Sequence, residues 1–409
     1  MFYSNDYDSI INLLTLRYDP NKKSVRGPLS AKDFTPKDIP NVESTILDIV
    51  KNDLLYKQQN FNFNSITISL SGGVDSGFTL AMLRSVLPDV KIHCVSVGFG
   101  DVDDEVTTAE EIARAYNCNF ESIFIENILT DLPKLIDIVK EPRWNLYQYY
   151  TLEYGKRNSD VFYTGDGGDE IFAGYVFRYN KFLSNFNSSF GWKEKSELYL
   201  SCHERDWVPN QSDLFGEKLN FSWEKIYPIF KNYFENDLSP LDQVFLADFN
   251  GKLLYDWLPA NKAFGDVLGL NIESLFLNQN MIEFATHIPW YEKYDDKTIT
   301  GKLPIRSILL KHKGFDQLKP IKKGFSLDLL SLWNRNAQDI VNAYVNEESE
   351  IVKEGLVRKD WINSIKMKLK DSKIDFDSSR YISKMFSILA LEVWYRLFFS
   401  KSITNTHKL

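Results

Sequence analysis

The sequence predicts an α/β protein: a doubly wound, mostly parallel sheet with a large C-terminal helical part. Three observations carry this. Between residues 61 and 180, four short runs rich in β-branched and aromatic residues alternate with helical patterns. Strands joined by single helices form parallel βαβ units with right-handed crossovers. From about residue 181 onward the pattern is helical throughout. Finally, two glycine-dense acidic turns directly follow the first and the last of the four runs, and ligands in such folds lie at the carboxyl ends of strands.

The chain divides into an N-terminal arm and helix (1–60), the α/β core (61–180) and the helical part (181–409). Residues 18–44 hold four prolines among polar residues and read as an extended arm. A helix follows, with Ile46, Ile49, Val50 and Leu54 at helical spacing. The strands are SITISL (65–70), KIHCVSVGF (91–99), FESIFI (120–125) and DVFYTG (160–165), with FTLAMLRSVL and AEEIARAYN as intervening helices. The later helices include SPLDQVFLADFNGKLLYDWL, NMIEFATHI and IRSILLKH, with Trp192, Trp207, Trp223 and Trp257 expected to fill their core. The closing run MFSILALEVWYRLFF (385–399) carries Glu392 and Arg396, is too short to span a bilayer, and reads as a buried helix.

Bulk composition narrows the function classes. Of 409 residues, 44% are hydrophobic and 25% charged, the balance of a globular protein. With 48 basic and 56 acidic side chains the net charge is −8, which disfavours a dedicated nucleic-acid binder. Cys94, Cys118 and Cys202 form no CxxC pair, and the five histidines show no zinc-ligand spacing. No basic start followed by an apolar core marks a signal peptide, so a cytoplasmic protein without membrane association is expected.

The first turn, Ser71-Gly72-Gly73-Val74-Asp75-Ser76, joins a strand to a helix. Its glycines let backbone amides approach a ligand, and the helix start favours an anion. No lysine follows the glycines as in a Walker A loop, and the dinucleotide GxGxxG pattern is absent. Alone, such a turn is equally an ordinary strand-to-helix connection with Asp75 as a solvated cap. The hexapeptide nevertheless resembles the PP-loop of the ATP pyrophosphatases, which cleave ATP between its α and β phosphates. The second turn, Thr164-Gly165-Asp166-Gly167-Gly168-Asp169-Glu170-Ile171-Phe172-Ala173-Gly174-Tyr175, resembles the GDGGDE-[LIV]-F-x-G-Y signature of the synthetase domain of asparagine synthetases. Further likenesses run from residue 15 to 400. Gly301-Lys302-Leu303-Pro304-Ile305-Arg306 is similar to the family's GK-x-x-[LI]-R, and Lys322-Lys323-Gly324-Phe325 to its K-x-G-F.

The resemblance implies an adenine nucleotide alpha hydrolase-like fold and an ATP site. Ser71, Gly72, Gly73, Asp75 and Ser76 would bind the pyrophosphate end of ATP, and Leu70, Val97 and Gly165 the adenosine part. Asp75 and Asp169 would share Mg²⁺, which takes carboxylates plus phosphate oxygens. Asp166 would orient or deprotonate the attacking amine. Lys322 would neutralise charge on the α-phosphate and leaving group, with Lys323 the alternative register. Asp104-Glu105 matches an acidic pair of the family and equally a solvated helix start.

Two departures bear on substrate. Residue 2 is Phe where full family members expose a cysteine nucleophile, and the first turn begins already at Ser71, so a glutaminase domain is expected to be missing. The amine would come from free ammonia, a separate glutaminase subunit or an amine substrate. The segment GLNIESLFLNQN (269–280) stands where the family reads like LEVRVPFLD, with Glu273 at the Arg, Leu275 at the Pro and Asn278 at the Asp. An acid in place of that cation disfavours assuming aspartate, and Pro320 also departs from the family's R-x-K-x-G-F. The expectation is an ATP-dependent amide ligase that adenylates a carboxylate. Aspartate comes first, with acids of natural-product or glycan biosynthesis as the alternative. A PP-loop tRNA-modifying enzyme and a non-catalytic nucleotide-binding partner of a glutaminase are the rivals from other classes.

Overall fold

Five strands form the central sheet in the computed structural model, which describes residues 7–61, 63–99, 104–315, 328–371 and 376–409. They are β1 (Ser65–Ser69), β2 (Lys91–Gly98), β3 (Asn119–Phe124), β4 (Val161–Thr164) and β5 (Asn271–Ser274). Their order is β3-β2-β1-β4-β5 with every neighbouring pair parallel. The chain builds outward from β1 to β3, then returns to lay β4 on the other side of β1. That reversal opens a crevice between the carboxyl ends of β1 and β4. Both glycine-rich turns follow those two strands, so topology alone brings them together.

Burial explains the strand order. Ile66, Thr67 and Ile68 of β1 are fully buried, as are Phe162 and Tyr163 of β4. Continuous apolar or β-branched runs of this kind suit central parallel strands covered on both faces. β3, with four of its six residues exposed and none fully buried, lies at one edge. The opposite edge is β5, a strand the sequence reading did not include. Asn-Ile-Glu-Ser offers one apolar residue, and pairing with β4 rather than local preference makes it a strand.

Helices α1 (Tyr7–Leu16), α2 (Val42–Phe61), α3 (Val74–Val86), α4 (Asp104–Ala115), α5 (Leu132–Val139) and α6 (Gln148–Gly155) precede β4. Helix α3 packs on β1 and β4, with α2 and the helix Leu303–Leu309 behind it. Helix α6 packs on β1 and β2 and is backed, with α5, by the helix Leu258–Leu268. The arm between α1 and α2 is pinned rather than free. Leu29 exchanges two hydrogen bonds with the Asn250 amide, 2.8 and 2.7 Å, and Phe34 is fully buried.

In the helical part the core centres on Phe230, Phe234, Phe245 and Phe249. The four tryptophans expected there stay half-buried at its rim. An indole N–H needs a partner, and Trp207 finds one in the Leu200 carbonyl at 2.9 Å. The helix Phe376–Phe398 buries the stretch Met385–Trp394, as expected of the closing apolar run. Its fully buried Glu392 accepts hydrogen bonds from the Glu350 and Ile351 amides, both 3.0 Å, and from Arg396 at 2.7 Å. Among the described residues no helix is long and apolar enough to cross a membrane. Cys94, Cys118 and Cys202 are free thiols.

Candidate active site

The first turn is a closed cradle. Ser76 Oγ donates to the Ser71 carbonyl at 2.9 Å, lies 3.1 Å from Ser71 Oγ and accepts from the Ser71 amide at 3.1 Å. Helix α3 begins at Val74 with Gly73 as its extended N-cap, so Asp75 is in the first turn, where the helix dipole favours negative charge. Leu70 is fully buried and its amide donates to Val95 O at 2.9 Å. Val97 lies one strand over near the end of β2.

The second turn packs directly onto the first. A Cβ on Gly168 would lie 2.5 Å from Asp75 Oδ1, and one on Gly165 would lie 2.9 Å from Asp75 Cβ. Glycine at these positions is therefore what lets the two turns touch. A short helix, α7 (Gly168–Ile171), starts there and carries Asp169 in its first turn.

A third segment completes the site. A two-residue hairpin, β6 (Tyr294–Asp295) with β7 (Thr300–Gly301), leads into the helix Leu303–Leu309, and Lys302 stands between them. Lys302 Nζ lies 2.5 Å from Asp75 Oδ2 and 2.5 Å from Asp169 Oδ1. Since both distances end on one nitrogen, those carboxylate oxygens are no more than 5.0 Å apart. Burial drives the Asp75 carboxyl up, Lys302 pulls it back, and Asp169 and Asp166 add to the rise, leaving it at about 6. Burial works against the Lys302 ammonium, yet Asp169 and Asp75 hold its pKa well above the ordinary lysine value. Arg306, one helical turn on, donates to the Gly301 carbonyl at 3.0 Å and feels the Asp75 charge.

Asp166 sits in a bracket of neutral donors. Its Oδ2 accepts from Thr164 Oγ1 at 2.8 Å and from Asn261 Nδ2 at 2.6 Å, and its carbonyl accepts from Ser274 Oγ at 2.6 Å. Burial raises its pKa, Thr164 and Asn261 oppose this, and Asp169 adds to it. Against Glu170 of α7 and Tyr175 of the second turn lies a small cavity of about 20 Å³, room for about one water. It is lined by Glu170, Arg178, Asp206, Asp248 and Lys252 among others.

The structure thus brings Ser71, Gly72, Gly73, Asp75, Ser76, Gly165, Asp166 and Asp169 to one crevice, with Leu70 and Val97 on the flanking strands. Lys322, Lys323 and Pro320 lie outside the described residues. Asp104 and Glu105 open α4. The sequence reading left Lys302, Asn261 and Ser274 out of the site. The Gly301-Lys302 motif was the signal for the first, and nothing local marks the other two. Glu273 accepts from Lys57 Nζ at 2.7 Å, and its neighbour Ser274 is the one that reaches Asp166. The acid at position 273 is thus paired with a lysine of helix α2 that also reaches Asp53.

The two acids fit a divalent cation. Their oxygens are nearly as close as two ligands across one Mg²⁺, about 4 Å. Among the described residues Asp75 Oδ1 is buried with no hydrogen-bond partner, which suits it to a cation's coordination.

The asparagine synthase family model matches residues 57–396. Among curated proteins the chain is similar to asparagine synthetase 1 (glutamine-hydrolyzing) of Bacillus subtilis (strain 168). The two are 23% identical over 410 residues, 91% of this chain and 63% of that protein. It is also similar to a putative asparagine synthetase 2 (glutamine-hydrolyzing) of Methanocaldococcus jannaschii, 28% identical over 124 residues, 29% of this chain and 24% of that protein. The chain thus spans less than two thirds of the length of these relatives. Two solved structures are among those the chain is matched with. NMN synthetase from Francisella tularensis is 12% identical, with 61% of this chain and 94% of that one covered and a TM-score of 0.26. The U34-tRNA thiolase NcsA from Methanococcus maripaludis is 14% identical, with 56% and 82% covered and a TM-score of 0.26.

Proposed function

Because the chain belongs to the asparagine synthase family, we propose that it is an ATP-dependent ligase that joins a carboxylate and an amine through an acyl-adenylate. The carboxylate oxygen attacks the α-phosphorus and pyrophosphate leaves. The amine then attacks the acyl carbon, loses a proton and expels AMP. The observation that carries this reading is the convergence of Asp75 and Asp169 on one point in the crevice between β1 and β4.

Each residue's part follows from its placement. The Ser71–Ser76 cradle offers hydroxyls and the α3 amides to the β and γ phosphates. Asp75 and Asp169 would hold Mg²⁺, whose charge would offset that of the leaving pyrophosphate. Lys302 and Arg306 supply further positive charge on the same side, where negative charge develops. Asp166 has a raised pKa and one carboxylate oxygen free of Thr164 and Asn261, which suits it to take the amine's proton. Lys322 is assigned, on the resemblance alone, to the α-phosphate.

The first substrate pair to test is aspartate with ammonia, followed by other amino acids and hydroxy acids with ammonia or simple amines. AMP, pyrophosphate and amide are expected in equal amounts. Asp75→Asn and Asp169→Asn should each reduce AMP formation at least about a hundredfold while circular dichroism stays unchanged. If no carboxylate supports AMP release and ATP fails to bind, the ligase reading is lost. A product carrying a modified tRNA base would move the protein to another reaction class.

A further inference from the structure

Lys302 is held in its place by unusual local structure. Its backbone is left-handed, φ +59°, a conformation that costs a long side chain energy. Its amide donates to the Phe172 carbonyl at 2.9 Å. A Cβ on Gly301 would lie 1.9 Å from the Ala173 carbonyl, and one on Gly174 would lie 2.5 Å from Lys302 Cε. Ala173 is itself left-handed, φ +61°. The 172–174 turn and the 301–302 turn are thus locked back to back, and the outcome is to aim one ammonium between two carboxylates. The Lys302 side chain is 12% exposed. A surface ion pair would not need this scaffold.

We propose that Lys302 is an internal stand-in for the divalent cation: without nucleotide it holds Asp75 and Asp169 together and keeps free metal ions out. When metal arrives already bound to nucleotide, the ammonium moves to a phosphate oxygen. This rests on the site being an ATP site. The argument is electrostatic. A free Mg²⁺ would have to displace a cation already 2.5 Å from both carboxylates. Among the described residues Lys302 pairs only with these two carboxylates, so the displaced ammonium would be left buried without its partners. Metal-bound ATP brings its own anionic oxygens, so the ammonium trades carboxylates for phosphate without being left unpaired. Asp75 Oδ1, buried and without a hydrogen bond among the described residues, is the oxygen kept for the metal. The site would therefore discriminate between free metal and the metal–nucleotide complex.

The test uses Mn²⁺ as a paramagnetic probe with the full chain. Electron spin resonance titration without nucleotide should show weak Mn²⁺ binding by the unaltered protein. Lys302→Met should bind Mn²⁺ about tenfold or more tightly, because the competing charge is gone. With α,β-methylene-ATP added, the order should invert, and Lys302→Met should bind the Mn²⁺–nucleotide complex more weakly than the unaltered protein. Equal Mn²⁺ affinity of the two proteins without nucleotide would overturn the proposal. So would an anomalous manganese peak between Asp75 and Asp169 in unaltered crystals soaked without nucleotide, a measurement that needs no variant to fold. If neither protein binds the Mn²⁺–nucleotide complex, the ATP reading itself fails, which is a different result.

Discussion

Gly174 shows how tightly single residues set this site. A Cβ there would lie 1.7 Å from Asp169 Oδ1 and 2.5 Å from Lys302 Cε, both closer than any real contact. Gly174→Ala must therefore push apart the two charged groups that define the crevice. The expected result is a loss of carboxylate-dependent AMP formation of about a hundredfold, since misplacement near 1 Å costs this much. Nucleotide binding by calorimetry should weaken as well, with the far-ultraviolet dichroism unchanged. Retained activity would mean that Asp169 and Lys302 need not keep this spacing. At this scale the sequence was most informative where chemistry is local. Ser71–Ser76 and Thr164–Tyr175 are each one contiguous turn, so residue order shows their shape. Asn261 and Ser274 reach Asp166 from segments about a hundred residues away, and no spacing rule connects them.

Between elements, Lys293 at the end of the short helix Trp290–Lys293 is buried with its Nζ 5.3 Å from the ring of Phe245 in the helix Pro240–Asp248, and no carboxylate pairs with it among the described residues. Lys293 is fully buried, and among the described residues neither its Nζ nor Asp242 Oδ1 has a hydrogen-bond partner. Burial pushes the Lys293 pKa down from 10.5 to about 8, with Asp242 pulling it back. The sign follows from linkage. Below about pH 8 the lysine is charged in both states and folding bears the full desolvation penalty. From about pH 8 to 10.5 the unfolded chain holds the proton and the folded one does not, so stability rises with pH. Lys293→Met should raise stability at pH 7 by about 2 kcal/mol. The gain should shrink as pH approaches 10.5, read from urea unfolding at several pH values. A loss of stability at pH 7 would show that Lys293 has a closer partner than Asp242. Periodicity could not have exposed this pair, because both residues sit at positions that read as the polar punctuation of apolar helices. β5 escaped for a related reason: its strand state is imposed by β4.

Across the whole molecule, helix α2 is joined to the β5 edge of the sheet by a charge cluster. Lys57 of α2 reaches Asp53 at 3.0 Å and Glu273 of β5 at 2.7 Å, and Asn278 Nδ2 donates to Asp53 at 2.6 Å. Lys57 is 14% and Glu273 23% exposed, so the pair is partly shielded from water and a broken partner matters more than at the surface. This arrangement makes segments separated in the sequence parts of one unit: α2 braces β5, β5 positions Ser274, and Ser274 holds the Asp166 turn. The alternation of strands and helices made the sheet legible. This bracing was not, because the sequence presents Glu273 only as an acid at an unexpected position. Reversing the pair separates its two possible meanings. Lys57→Glu and Glu273→Lys should each cost about 2 kcal/mol, and the double variant should recover a coupling of about 1–2 kcal/mol. Asp53 remains beside the reversed pair and keeps the recovery incomplete. In the folded double variant, the preferred carboxylate and its KM should match those of the unaltered protein. A changed preference among carboxylates would instead make Glu273 part of the substrate wall, and the brace would then be secondary to recognition.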